Sequence, residues 1–207
     1  GDYDKAMSRL SRQVKQDRDD PESHYLLGLC LYMKNSFEEA IPWFERAYTL
    51  DSTHINALRY HARSRTRLGQ TSRAIKLYTR ALRLAPDRVD IHDELGRLFL
   101  EQRQPARADS VYNALTALEP ENSYYCLMRA RCLTTIDSLT AANHYYQRVI
   151  RLDSSHVTAL YQLAHNQYKL DSLDQALSSI TRALKTEEKN PLFHRLKGMI
   201  LYSCEAY

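Results

Sequence analysis

One amino acid returns at a fixed interval along the chain. Alanine stands at six positions that are each 34 residues apart, namely Ala6, Ala40, Ala74, Ala108, Ala142 and Ala176. Because about one residue in ten is alanine, a chance series of this kind has a probability on the order of one in a million, and it marks an internal repeat. Such a repeat restricts the chain to architectures in which short structural units stack on their neighbours.

Neighbouring columns of the repeat predict two helices in each unit. Four residues after each alanine stands a mostly large residue, in the order Leu10, Phe44, Tyr78, Tyr112, Tyr146 and Ile180. A further column follows three residues later, and offsets of four and three describe one face of an α-helix. A second apolar segment precedes each of these helices. The chain has 5 glycines and 6 prolines, which is few for a strand-rich fold with many tight turns.

These columns resemble the consensus of the tetratricopeptide repeat family, with a large residue, Leu-Gly, an aromatic residue, alanine, an aromatic residue, alanine and proline. The resemblance covers the whole chain and implies an all-α fold, an α-α superhelix in which antiparallel helix pairs form a right-handed solenoid. It predicts a half-repeat at 1–20, a half-repeat or capping helix at 191–207, and full repeats at 21–54, 55–88, 89–122, 123–156 and 157–190. Because residues 1–20 match only a second helix, we expect the natural chain to extend before residue 1.

The first helix of each unit carries the residues that we expect to bind a ligand. Positions 2, 5, 9 and 12 of the unit share one helix face, and the resemblance implies that this face lines the concave groove. Position 9 holds Arg63, Arg97 and Arg131 in consecutive units, which predicts a ladder of guanidinium groups. The residues assigned to the groove are Tyr25, Tyr32, Arg59, Arg63, Arg67, Asp93, Arg97, Tyr124, Arg131, Tyr161, His165 and Tyr168.

Such a groove predicts a protein or peptide ligand with an acidic segment. Arginine offers a fork of donors to carboxylates, and tyrosine supplies contact area at a low entropic cost. An extended or helical segment would fit such a surface. The alternative is a solvated helix face whose arginines pair with Asp93, Glu94 and Glu101.

The carboxylate clamp of some members of this family is not present in its usual form. That clamp uses lysine at position 5 and asparagine at position 9 of one unit. Here these positions hold Tyr25 and Leu29 in one unit, and Arg59 and Arg63 in the next. A role as a co-adaptor for chaperone tails is therefore not predicted.

Three local features carry further expectations. His61 and Arg65 stand at positions that are normally apolar, so we expect Arg65 to reach solvent past its neighbours or to pair with an acid. The glycine column that begins with Gly28 and ends with Gly198 would permit close approach of two helices. Pro42 lies inside a second helix but near its start, where we expect a mild bend.

The sequence contains no recognisable catalytic or cofactor motif. It has no Gly-rich phosphate loop, no H-E-x-x-H and no G-x-S-x-G, so we predict neither enzymatic activity nor a cofactor or metal. No apolar run approaches the roughly 18 residues of a membrane span. The cysteines lack C-x-x-C spacing, and we interpret them as small buried apolar residues, Cys30, Cys126, Cys132 and Cys204.

Two other functions stay open. Uncovered ends of the stack would expose apolar surface, which favours self-association as a structural scaffold of a multidomain bacterial protein. Fifteen tyrosines suggest base stacking and RNA binding, but a net charge of +4 is small for nucleic-acid recognition. Asp-Ser-rich junctions resemble those of bacterial envelope-associated repeat proteins, which favours the cell envelope or periplasm over the cytoplasm.

Overall fold

The chain is built from α-helices. A computed structural model describes residues 2–205, and in that range it contains twelve helices and no strand. The predicted all-α fold class is therefore confirmed. The chain divides into two compact units, one up to Leu98 and one from Phe99 onward.

The helices follow the 34-residue register of the sequence. The first unit contains α1 (Asp2–Gln16), α2 (Pro21–Met33), α3 (Phe37–Leu50), α4 (Ile55–Arg67), α5 (Thr71–Leu84) and most of α6 (Val89–Glu101). The second unit contains α7 (Pro105–Leu118), α8 (Ser123–Thr135), α9 (Leu139–Leu152), α10 (Val157–Lys169), α11 (Leu173–Thr186) and α12 (Pro191–Glu205). The division into full repeats and terminal half-repeats stays a prediction.

Helix pairs build the core of each unit. In the first unit α2 packs on α3 and α4 on α5, while α8 packs on α9 and α10 on α11 in the second. The repeated alanines lie on the second helices and are fully buried from the second repeat position onward, at Ala40, Ala74, Ala108, Ala142 and Ala176. The column four residues later supplies the large buried side chains of the core, Phe44, Tyr78, Tyr112, Tyr146 and Ile180.

Polar side chains fix the starts of several first helices. The Asp20 carboxylate accepts hydrogen bonds from the backbone N–H groups of Glu22 at 3.2 Å and Ser23 at 3.1 Å. Pro21 occupies the first turn, where its missing N–H has no intrahelical partner to lose. Three further caps accept a backbone N–H in the same way, those of His54, Asn122 and His156. These caps satisfy donors that the helix itself leaves free.

Each turn from a first to a second helix contains one residue in the left-handed backbone region. These residues are again 34 positions apart, with φ of 61° at Asn35, 69° at Gly69, 54° at Arg103, 61° at Asp137 and 57° at Asp171. Glycine adopts this conformation without steric cost, whereas a residue with a Cβ is strained there. Gly69 therefore relaxes its turn, and the other repeats tolerate a strained residue at the same place.

The glycine column differs between its two ends. A Cβ added to Gly28 would lie 2.7 Å from Cε1 of Phe44, so α2 and α3 approach closely there as predicted. At Gly198 an added Cβ would meet no heavy atom of the described residues within 4 Å. The expectation of close approach is wrong at this end, because no described helix packs across that side of α12. Pro42 leaves α3 a single helix from Phe37 to Leu50.

Two of the four cysteines are buried, as the sequence predicted for all of them. Cys126 and Cys132 are buried, whereas Cys30 and Cys204 are half-buried, and all four are free thiols. Burial raises the pKa of Cys132 to about 11.

Among residues 2–205, none of the helices combines the length and the apolar character that crossing a membrane requires.

Candidate binding surface

Three arginines follow one another on a single face of α4 in the first unit. Arg59, Arg63 and Arg67 are four residues apart, which places them in one row along the helix. The row touches both neighbouring first helices, because Arg63 reaches a ring on α2 and Arg59 reaches carboxylates on α6. The helices α2, α4 and α6 therefore lie side by side around this row.

The Arg59 end of the row is neutralised by acids of α6. Arg59 forms ion pairs with Asp90 and Glu94, and its side chain is 19% exposed. Arg88 donates two further hydrogen bonds to Asp90, at 2.8 and 2.9 Å. The hydrogen bonds from Arg88, and then the charge of Arg59, hold the pKa of Asp90 below its ordinary value although burial opposes the shift. The donors of Arg59 are thus largely occupied within the protein.

The Arg67 end of the row keeps its donors. The guanidinium of Arg63 lies 5.3 Å from the ring centroid of Tyr32 and 5.1 Å from that of Tyr60, and its Nε is 3.8 Å from Glu94. Arg67 lies 4.9 Å from the ring centroid of Phe37 and is exposed. Over the described range of the chain, no carboxylate forms an ion pair with Arg67. Aromatic rings therefore hold this end while its charge stays available.

Tyr25 and Tyr32, which we assigned to the groove, lie in the core. They are 9% and 8% exposed, respectively. The Tyr25 ring packs 4.8 Å from that of His54, and the Tyr32 ring packs 5.3 Å from those of Phe37 and Tyr60. Burial raises the pKa of Tyr25 to about 12. Both rings turn sideways into the seam between α2 and α4, so they support the arginines and offer little surface to a ligand.

Asp93 and Arg97 form the part of the predicted site that lies on α6. They are one helical turn apart, with Nη1 of Arg97 at 4.0 Å from Oδ2 of Asp93, and the Arg97 side chain is 62% exposed. The sequence also allowed the alternative that the arginines pair with acids of the protein itself. Such ion pairs are present at Arg59, Arg63 and Arg97. They leave Arg67 as the cation of this unit's row without an ion pair.

Arg65 sits in a buried polar network, as expected for a charge at a core position. Its Nε donates to Nε2 of His61 at 2.9 Å, and its Nη1 donates to the side chain of Gln70 at 2.6 Å. Its Nη2 pairs with Glu45 at 3.4 Å, so the expectation of an acid partner is confirmed. His61 is 3% exposed and contacts the Tyr48 hydroxyl through Nδ1 at 3.3 Å. The network satisfies groups that would otherwise be costly to bury.

In the second unit, α10 carries three of the predicted residues. The Tyr161 ring stacks on Phe193 of α12 at 5.2 Å and lies 6.3 Å from the ring of His165. Burial, and then the charge of Lys169, lowers the pKa of His165. Tyr168 accepts a hydrogen bond from Ser203 at 3.5 Å. Contacts with α12 therefore hold the half-buried side chains of Tyr161 and Tyr168.

The remaining predicted residues, Tyr124 and Arg131, lie on α8 and reach the surface. Tyr124 is 42% exposed and packs edge-on against Tyr125 at 5.4 Å. Arg131 is exposed and lines a cavity of about 400 Å³ together with Leu100 and Thr135. Arg63 and Arg97 belong to the first unit and Arg131 to the second, and the ladder through consecutive repeats stays a prediction.

An apolar row on α12 extends the exposed surface of the second unit. Leu192, Met199 and Tyr202 are 50%, 44% and 78% exposed. They stand at positions 2, 9 and 12 of the repeat and share one helix face. The exposed first-helix surface is therefore charged in the first unit and partly apolar in the second.

Sequence reasoning missed two residues that shape this surface. Tyr60 supports both Arg59 and Arg63, and Phe37 supports Arg67. Tyr60 stands next to Arg59 in the chain, so the pairing of a cation with an aromatic neighbour was a signal within the sequence. Phe37 begins the second helix of the preceding repeat, and nothing local in the sequence connects it with Arg67.

Two protein-family models match this chain. Residues 1–81 match the family described as "Anaphase-promoting complex, cyclosome, subunit 3". Residues 66–132 match the family described as "Tetratricopeptide repeat". The two matches overlap and together run from residue 1 to residue 132.

Curated relatives match the chain at low identity. The human DnaJ homolog subfamily C member 7 is 22% identical over 171 residues, which are 75% of this chain and 35% of that protein. The human protein O-mannosyl-transferase TMTC3 is 21% identical over 207 residues, which are 92% of this chain and 23% of that protein. The chain thus spans about a third or less of the length of these relatives.

Among solved structures, the crystal structure of YrrB, described as a TPR protein with an unusual peptide-binding site, is similar in fold. Its TM-score is 0.76 at 18% identity, and the match covers 91% of this chain and 97% of that one. This structural similarity supports the fold, in which pairs of antiparallel helices are stacked.

Proposed function

From the premise that the chain belongs to the tetratricopeptide repeat family, we propose that it is a non-catalytic module that binds a segment of a partner protein. The binding surface is the exposed face of its first helices. The peptide-binding site described for YrrB supports this use of the fold. The transferase activity named for TMTC3 belongs to that protein, 23% of which matches this chain.

The observation that carries the proposal is the pair Arg63 and Arg67 on α4. Rings of Tyr32, Tyr60 and Phe37 hold the two guanidinium groups. A side chain that is already held loses less conformational freedom when a ligand arrives. The forked donors of Arg67 are open to an acidic side chain, with which they can form two parallel hydrogen bonds.

The same geometry limits where an acidic residue of the partner would bind. Arg59 is neutralised by Asp90 and Glu94, so a ligand carboxylate would meet like charges beside it. We therefore place the acidic contact at the Arg63–Arg67 end of the row. In the second unit, the exposed Met199 and Tyr202 suit an apolar or aromatic part of a partner segment.

The direct test removes two charges from α4 and keeps a polar side chain at each position. Peptides selected from a phage-displayed library on the whole chain serve as probes, and fluorescence anisotropy measures their affinity for the variant Arg63→Gln/Arg67→Gln. We expect at least about tenfold weaker binding, because each charge-assisted hydrogen bond is worth roughly 1.5–3 kcal/mol.

A matched control removes two exposed charges from a second helix of the same unit. Lys76 and Arg83 on α5 are both exposed, and Lys76→Gln/Arg83→Gln should change the affinity by no more than about twofold, since exposed charges act weakly at a distance. Circular dichroism checks that both variants keep their helices. A folded α4 variant that binds the selected peptides as tightly as the natural chain contradicts the proposal.

A further inference from the structure

The second unit contains a polar cleft between α9 and α11, with α10 as its floor. The cleft has a volume of about 440 Å³. Ile150 and Leu163 form buried apolar parts of its wall. Two buried polar side chains also line it, Gln167 at 5% exposure and Ser179 at 6%. A cleft with buried polar groups differs from the apolar seams that hold the repeats together.

Two columns of the repeat explain why a cleft exists at this place. In the preceding full repeats the column of Ser179 holds large apolar residues, Trp43, Leu77, Val111 and Tyr145. The column of Gln167 holds Leu31, Arg65, Phe99 and Leu133. A small hydroxyl side chain thus replaces a large one, and an amide stands where an apolar side chain is usual. The change removes volume from the seam and adds hydrogen-bonding groups to its wall.

The buried amide of Gln167 keeps unused donor capacity. Its Oε1 accepts from the Ser179 hydroxyl at 2.8 Å. Its Nε2 lies 3.5 Å from Oε1 of Gln175, which is the outer limit of a hydrogen bond. An amide nitrogen carries two protons, so a buried N–H donor without a short partner borders the cleft. Polar groups are costly to bury unless they bond, which favours a ligand that accepts here.

Two arginines line the same cleft as the Gln167 amide. Arg151 and Arg182 line the cleft and are exposed, and no aspartate or glutamate lines it. Arg182 donates to the backbone oxygen of Ser154 at 3.4 Å. Across residues 2–205, neither arginine forms an ion pair. The cleft therefore combines two guanidinium groups with an amide donor and has no competing carboxylate.

We infer that this cleft binds a carboxylate group of a peptide. The planar fork of an arginine matches a carboxylate with two parallel hydrogen bonds, and the amide of Gln167 adds a neutral donor from the floor. The cleft is large enough for one or two residues next to the bound group. It lies on α9, α10 and α11, whereas the proposed protein-binding surface of the first unit lies on α4. Either site can therefore fail in experiment without the other.

The test uses a minimal peptide with and without the charged group. N-acetyl-diglycine as the free acid, and the same compound as its C-terminal amide, are titrated into the isotope-labelled whole chain. The side-chain amide signals of Gln167 and Gln175 are followed by NMR. We expect the acid to shift both signals saturably and the amide to leave them unchanged.

Variants identify the groups that carry binding. Arg151→Gln/Arg182→Gln should weaken binding of the acid at least about tenfold, because the charge-assisted hydrogen bonds are lost. Ser179→Tyr, which restores the large residue of the preceding repeat, should abolish binding by filling the cleft. Lys185→Gln removes an exposed charge of α11 that does not line the cleft, and binding should change by less than about twofold.

Three results would overturn the inference. Equal shifts with the acid and the amide would show that the carboxylate is not recognised. An equal loss of affinity in Lys185→Gln and in the double variant would assign the effect to general charge. Saturable shifts with inorganic phosphate but none with the acid would replace the carboxylate by a phosphate group as the ligand.

Discussion

Acidification from pH 7 to pH 4 is expected to lower the free energy of unfolding by about 3 kcal/mol through His61 alone. Burial, and then the nearby charge of Arg65, lowers the pKa of His61 from 6.5 to about 4 in the folded protein. The hydrogen bond from Arg65 also favours the neutral imidazole of His61, because Nε2 accepts from Arg65 at 2.9 Å and must carry no proton to do so. A proton on Nε2 would break this hydrogen bond and place two cations, His61 and Arg65, side by side. The carboxylate of Glu45, 3.5 Å from Nε2, would reduce the repulsion between them.

The sign follows from the two pKa values of His61. Between pH 6.5 and pH 4 the unfolded chain binds a proton that the folded chain does not bind. Protonation of His61 therefore stabilises the unfolded state relative to the folded state as the pH falls. The stabilisation is complete above the unfolded pKa, declines through this window, and is gone once the pH is below the folded pKa.

Urea unfolding at pH 7, 5 and 4 measures this effect when the natural chain is compared with His61→Gln. Glutamine keeps an acceptor for Arg65 and a donor for Tyr48 but does not titrate. Other acidic and histidine groups titrate in both proteins, so the difference between the two curves isolates His61. We expect the stability of the variant to fall by about 3 kcal/mol less over this range. An equal loss of stability in the natural chain and in His61→Gln would contradict the conclusion that His61 is a buried, neutral imidazole in the folded protein.

The same substitution at two glycines should change stability in opposite directions. At Gly28 an added Cβ would lie 2.7 Å from the ring of Phe44, which is itself fully buried. The ring must shift within a packed core, so we expect Gly28→Ala to destabilise the protein by about 1–3 kcal/mol. At Gly198 an added methyl group meets no described atom within 4 Å, and Gly198→Ala should stabilise α12 by up to about 1 kcal/mol.

Urea unfolding of both variants at pH 7 provides the comparison, with each glycine acting as the control for the other. Both stand at the same position of the repeat, so a rule based on the sequence column alone predicts equal effects. A destabilisation by both substitutions, or by neither, would contradict the difference in packing between α2 and α12.

The sequence predicted the helices well because their positions depend on local spacing. Apolar residues at intervals of three and four fix the buried face of a helix, and the 34-residue register repeats this pattern. The alanine column and the large residues after it are buried as the pattern indicates.

The surface was predicted less well because it depends on contacts between distant residues. Positions 5 and 12 of the repeat border a seam, and whether a ring there turns outward depends on the neighbouring helix. Tyr25 and Tyr32 turn inward against Tyr60 of α4, which the helix periodicity of α2 does not reveal. Arg59 is neutralised by acids that stand 31 and 35 residues later.

The cleft in the second unit illustrates a signal that the sequence did contain. Ser179 departs from a column of large residues, and Gln167 departs from a mostly apolar one. Each departure alone is compatible with a surface position. Their juxtaposition across α10 and α11, through the hydrogen bond of 2.8 Å, becomes visible in the fold.

Site-specific photocrosslinking tests the central claim, that a partner segment binds the exposed face of the first helices. A photoreactive amino acid replaces Arg97 on α6, whose side chain is 62% exposed, or, as the control, the exposed Thr49 on α3. The library-selected peptide is added to each protein, and mass spectrometry locates the crosslinks. We expect crosslinks from the position on α6 and none from the position on α3. Crosslinks from α3 with none from α6 would contradict the proposed binding surface.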